Sequence, residues 1–142
     1  MGARHAGRQA ALQMLFQAEL GRFDADQVIA DFWRHFEADP EGRQYADALV
    51  RGVAARREEI DQLVAKASVN WRLERMTAVD RNVLRLGTYE LLVEQGTPRA
   101  VILDEAVELA KQFGAENSGP FVNGVLDRVA VTLNRVDRDR QS

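Results

Sequence analysis

VILDEAVELAKQFGAENSGPFVNGVL, residues 101 to 126, decides the fold, because it reads as an amphipathic helix, a glycine stop, a polar turn and the start of a second helix. Gly96 ends what precedes it. Thr97 is a good N-cap, and Pro98 suits the first helical position, where its missing N–H would be unpaired anyway. Ile102, Ala106, Leu109 and Phe113 recur at helical spacing, widened by Leu103, Val107 and Ala110. Asp104, Glu105, Glu108, Lys111 and Gln112 fill the opposite, wet side. Gly114 is expected to supply a left-handed stop, and Ser118 with Pro120 opens the next helix.

In that last helix Val122, Val125, Leu126, Val129 and Leu133 form one apolar stripe. Phe121 falls roughly 100° from its centre, and Gly124, Arg128 and Arg135 lie on the same flank. An aromatic platform, open backbone and two cations on one side suit single-stranded nucleic acid. The alternative is a Phe121 packed beneath the polar turn or against the preceding helix.

Outward from this stretch, a chain of 142 residues with 46% hydrophobic content fits one domain with a real core. The absence of cysteine excludes a disulfide framework or thiolate metal site. No segment approaches the roughly 20 apolar residues needed to span a bilayer, and the first residues lack the apolar run of a secretory signal. A cytoplasmic protein without a membrane partner is the expectation. The net charge of -3 argues against gripping nucleic acid by bulk charge, so any RNA contact must be local or supported by a basic partner.

Toward the N-terminus, Arg8 to Leu20 reads as a first helix ending at Gly21, with Leu12, Leu15, Phe16 and Leu20 apolar. If it extends backward, Arg4 and Arg8 continue one line through Ala11 and Leu15 and could project as phosphate contacts; a solvated, frayed terminus is the alternative. Asp24 with Gln27 resembles a capping box before a core stripe of Val28, Ile29, Phe32, Trp33 and Phe36. Asp39 and Pro40 start a long helix in register to about Ser68, whose Arg51, Arg56 and Arg57 are balanced by Glu58, Glu59 and Asp61 as a solvated face. The connector from Val69 to Met76, single-turn helix or loop, divides two helical halves, and Thr77 with Asp80 caps a helix carrying Val83, Leu84, Gly87, Leu91 and Leu92. Asp80 is read first as a cap that complements the helix dipole. After Val131 the alternating charges should fray.

Catalytic chemistry is missing. His5 and His35 are the only histidines and form no Glu-x-x-His pair, Glu105 and Glu108 match an ordinary exposed face, and the glycines form neither a P-loop nor a dinucleotide fingerprint. A non-enzyme without metal or cofactor follows. The expected fold is all-α, about seven helices in two small subdomains, about 5–68 and 71–135, with a frayed tail at 136–142.

EAVELAKQFGAENSGPFVNGVLDRVA at 105–130 resembles the signature of the NusB transcription antitermination factors, and VLRLGTYEL at 83–91 resembles a second block of that family. The resemblance runs from about Ala6 to Ala130. It implies an RNA-binding module that recognises the boxA element of nascent ribosomal RNA or phage leader transcripts. Such proteins act as a heterodimer with NusE, the tenth protein of the small ribosomal subunit, in an RNA polymerase complex that reads through terminators. Carried over residue by residue, Arg4 and Arg8 would hold phosphates and Phe121 would stack a base. Phe16, where relatives present a tyrosine, would lie at the same surface, and Asp80 with Glu74 would make polar contacts to bases; Arg128, on the Phe121 flank by helical spacing, is the further RNA-contact candidate. Two other readings stay open: a helical protein adaptor that never touches RNA, and the RNA-binding fragment of a ribosomal RNA cytosine methyltransferase. Self-association into a homodimer that hides the RNA surface is also open.

Overall fold

A computed structural model describes residues 2–22, 24–69 and 71–135. Among these lie seven α-helices and no strand: α1 (Ala3–Gly21), α2 (Ala25–His35), α3 (Pro40–Ala55), α4 (Arg57–Ala67), α5 (Ala78–Val93), α6 (Arg99–Phe113) and α7 (Ser118–Thr132), with a 3-10 turn at Leu73–Arg75 before α5. They form two compact units, Met1–Arg56 and Arg57–Ser142. The tail expected to fray, 136–142, lies outside the described residues.

The first unit is built on α1 against α3. Two glycines let the backbones approach: a Cβ on Gly7 would stand 2.9 Å from the Tyr45 ring and 3.0 Å from the Gly42 carbonyl, and one on Gly42 would stand 3.3 Å from the Ala3 carbonyl. Leu12, Leu15, Val28, Ile29, Phe32, Leu49, Val50 and Val53 fill the interior. The Asp24–Gln27 capping box forms in both directions. Trp33 packs edge-on to Phe32 at 4.9 Å and donates its indole N–H to Asp47 at 2.7 Å, so it is satisfied within the unit. Leu20 departs from expectation: in the last turn of α1 it is 67% exposed.

The long helix read from Asp39 to Ser68 is two helices. Arg56 leaves helical geometry at φ -112°, ψ 20°, and α4 groups with the helices that follow instead of those before. The sequence places the divide near Ser68; nothing in the apolar spacing marks a break twelve residues earlier, because register continues through Val53 and Ile60.

In the second unit α5 is the central element, packed against α4, α6 and α7 and buried from Asn82 to Thr88. Gly87 takes the Leu126 side chain where a Cβ would stand 2.6 Å from it. Asp61 on α4 grips Arg85 on α5 with both oxygens, at 2.8 and 3.2 Å, and Asn82 Oδ1 accepts a third bond at 3.1 Å. Arg135 is not a cation on the Phe121 flank. It donates to the carbonyls of Leu91, Glu94 and Thr97, which closes the open end of α5. Burial, with Arg99 nearby, lowers its pKa.

Gly114 is not left-handed (φ -103°, ψ -163°). Its requirement is space, since a Cβ there would stand 2.6 Å from Ser118 Oγ and 2.7 Å from the Ala110 carbonyl. Left-handed residues occur instead at Arg22, φ 57°, after α1, and at Asn134, φ 54°, after α7.

Candidate nucleic-acid interface

Each unit carries part of the expected site. In the first, α1 begins at Ala3, so Arg4 and Arg8 do share a helical line. Both guanidiniums lie over the Tyr45 ring, at 5.2 and 5.5 Å from its centroid, and Arg8 also reaches the Tyr45 hydroxyl at 3.5 Å. The close glycine approach between α1 and α3 draws Arg8 inside, where it is 4% exposed. The expected pair of projecting phosphate contacts is thus reduced to one exposed arginine, Arg4, seated on an aromatic shared with a buried one. Phe16 is half-buried two turns further along α1.

In the second unit, Phe121 is half-buried in the first turn of α7. The turn before it is fixed by Ser118 Oγ, which accepts from the Ala115 N–H at 2.9 Å. Gly124 and the exposed Arg128 follow on the same flank, and the nearest atom to a Cβ on Gly124 would be the Arg128 guanidinium at 3.9 Å. Arg128 Nε donates to the Ala67 carbonyl at 2.7 Å, capping the end of α4. An open backbone patch between a ring and a cation is therefore present on α7.

Glu74 is exposed in the 3-10 turn, and Asp80 stands in the first turn of α5. Arg81 joins these two positions: its Nη1 donates to the Leu73 and Met76 carbonyls, each at 2.7 Å, and pins the turn to α5. Asp80 N–H donates to Thr77 Oγ1 at 3.1 Å, so the cap is made by Thr77, while Asp80 Oδ1 is buried and unbonded among the described residues.

Two contributors escaped sequence reasoning. Tyr45 reads as a core position of α3, and nothing local announces that it would seat two arginines. Trp71 reads as a connector residue, yet it is 54% exposed beside a cleft lined by Ala65, Ser68, Val69, Arg72, Leu73 and Glu74. A tryptophan in a polar run outside any helical stripe was the available signal.

No group of three His, Cys, Asp or Glu side chains among the described residues is placed to hold a metal, and no helix there is long and apolar enough to cross a membrane. The geometry gives two all-helical units, each offering aromatic rings and cations at its surface. A family model described as the NusB family matches residues 5–131. The transcription antitermination proteins NusB of Sorangium cellulosum and Myxococcus xanthus are 64% and 50% identical to this chain, covering 99% and 95% of it and 100% and 99% of their own lengths. Among solved structures, T. maritima NusB superposes with a TM-score of 0.83 at 40% identity over 92% of each chain. A structure of antitermination factors NusB and NusE in complex with dsRNA gives 0.82 at 27% identity, over 93% of this chain and 98% of that one. The chain belongs to the NusB family of non-enzymatic transcription antitermination factors.

Proposed function

We propose that this protein acts in the cytoplasm by binding the boxA element of nascent ribosomal RNA together with NusE, and that the complex joins RNA polymerase and promotes read-through. The observation that carries this reading is the flank of α7, where Phe121, open backbone at Gly124 and Arg128 follow one another on a chain whose structural relatives include a NusB–NusE pair with RNA. Arg4 serves as a phosphate contact, Phe121 as a stacking surface, and Phe16, Glu74 and Asp80 as further contacts, with Arg8 acting by holding Tyr45 beneath Arg4. A net charge of -3 makes the cations of a basic partner part of the affinity.

The test is fluorescence anisotropy of a short boxA-like RNA titrated with the protein, with and without NusE, at two salt concentrations. Arg4→Ala with Phe121→Ala is the matched variant, since neither side chain is buried. Binding that strengthens with NusE and falls at least about tenfold in the variant is expected when one stacked base and one neutralised phosphate are removed. Capture of NusE with no RNA binding under any condition would leave a protein adaptor.

A further inference from the structure

We infer that the exposed Trp71 and the cleft beside it form a second stacking site for single-stranded RNA, flanked by Lys66, Arg72 and Arg75. This rests on the RNA-binding reading above and adds to it a foothold that the α7 flank does not contain.

The argument begins with exposure. Trp71 is 54% and Val69 77% exposed, and between them and the 3-10 turn lies a cleft of about 380 Å³ floored by Ala65, Ser68 and Leu73. In the first unit two rings are covered by cations: Trp33 lies under Arg43, and Tyr45 under Arg4 and Arg8. Trp71 has no cation over its ring, and the exposed Lys66, Arg72 and Arg75 have no ion pair or side-chain hydrogen bond among the described residues. An uncovered indole beside Arg72 in the cleft, with Lys66 at the end of α4 and Arg75 in the 3-10 turn that adjoin it, is a combination that can track a phosphate backbone while stacking a base, with little dependence on sequence.

The platform is also held in place. The Trp71 backbone N–H donates to the Ser68 carbonyl at 3.3 Å, Ser68 Oγ donates to the Val64 carbonyl at 2.7 Å, and Arg81 fixes the Leu73 and Met76 carbonyls on the far side. A platform anchored on both sides loses little freedom when a base settles on it. Finally, the site continues from the α7 flank. Arg128 is bonded to the carbonyl of Ala67, between the cleft residues Ala65 and Ser68, so a strand leaving Phe121 along Gly124 and Arg128 meets the Trp71 cleft next. That continuity favours RNA over a protein segment as occupant, with Arg72 offsetting the one carboxylate of the lining, Glu74, and Lys66 and Arg75 leaving the adjoining turns basic.

The chain has two tryptophans, so Trp33→Phe leaves Trp71 as the sole indole reporter. Titrating this variant with boxA-like single-stranded RNA in the presence of NusE should quench its emission, and Trp71→Ala in the otherwise native protein should weaken RNA binding roughly five- to hundredfold, with Trp71→Phe retaining most of it. NusE capture should be unchanged. RNA binding that Phe121→Ala weakens, with Trp71 emission unmoved and Trp71→Ala binding normally, would overturn this site and leave the RNA reading intact. Emission that shifts with NusE alone, together with loss of NusE in Trp71→Ala, would make it a protein contact and equally overturn it. No RNA binding at all would remove both readings.

Discussion

The two units use the same residue types in opposite ways. In Met1–Arg56 two of the aromatics are covered by cations: Tyr45 lies beneath Arg4 and Arg8, and Trp33 beneath Arg43. In Arg57–Ser142 the arginines separate into two populations. Arg85, Arg81, Arg99 and Arg135 are spent on Asp61, on the 3-10 turn, on Asp127 and on the end of α5, whereas Arg72, in the cleft with Trp71, and Arg75 have no side-chain partner among the described residues. An arginine satisfied inside the unit is part of the scaffold, and its removal should register as lost stability. One without a partner contributes little to the fold, and its removal should register only in binding.

The largest effect that separates these populations is expected at Asp61. Its side chain is 28% exposed, and it holds Arg85, whose side chain is 5% exposed, as well as Arg57 at 3.0 Å. Asp61→Ala takes the carboxylate away from a nearly buried guanidinium, and a loss of about 3 kcal/mol is expected in urea denaturation. A loss below about 1 kcal/mol would place Arg85 with the uncommitted cations and erase the contrast within the second unit. Next in size is Tyr45→Leu in the first unit, which withdraws the ring from two arginines and the hydroxyl from the buried Arg8. About 1–3 kcal/mol is expected, read as a lower thermal midpoint. A variant as stable as the parent would mean that the Tyr45 ring adds nothing to the scaffold of the first unit and would remove the contrast with Trp71.

Much of this fold was legible because its helices announce themselves twice, in stripe and in cap. Val122, Val125, Leu126 and Val129 are buried as their spacing requires, and the Asp24–Gln27 box and the Thr77 cap form where the residues stand. The break at Arg56 was not legible, because apolar register runs through it and the change is one of tertiary grouping. Gly114 shows a related limit: a glycine after a helix suggests a left-handed turn, yet here its place is set by the crowding of Ser118 and Ala110, which only the folded chain reveals. For the candidate site, residue type and flank identified Phe121 and Arg128, while the burial of Arg8 and the exposure of Trp71 depend on which helix lies opposite. A helical wheel gives a direction, and whether a neighbour waits in that direction is not written locally.

Ser118 tests whether the polar contacts of the second unit that are not ionic also belong to its scaffold. It is 1% exposed and accepts from the Ala115 N–H at 2.9 Å in the turn that presents Phe121. Ser118→Ala should cost about 1 kcal/mol by the loss of that bond, and RNA affinity should fall only as far as the Phe121 turn loosens.

The smallest effect on folding is expected where the comparison is sharpest, in Arg72→Ala with Arg75→Ala. Both side chains are exposed and lack a partner among the described residues, so stability should stay within about 0.5 kcal/mol of the parent. The variant should instead lower the dependence of RNA binding on salt, by roughly 0.7 in log–log slope for each single-strand phosphate that is no longer neutralised. A bare fall in affinity would not serve as well, since a slightly loosened surface also lowers affinity, whereas only the removal of a cation that neutralises a phosphate changes how many counterions are released. An unchanged slope with unchanged stability would mean that these arginines face solvent alone, and the division between scaffold and binding cations would then have to be drawn at Arg128, whose Nε is committed to Ala67 while the rest of its guanidinium faces the open backbone at Gly124.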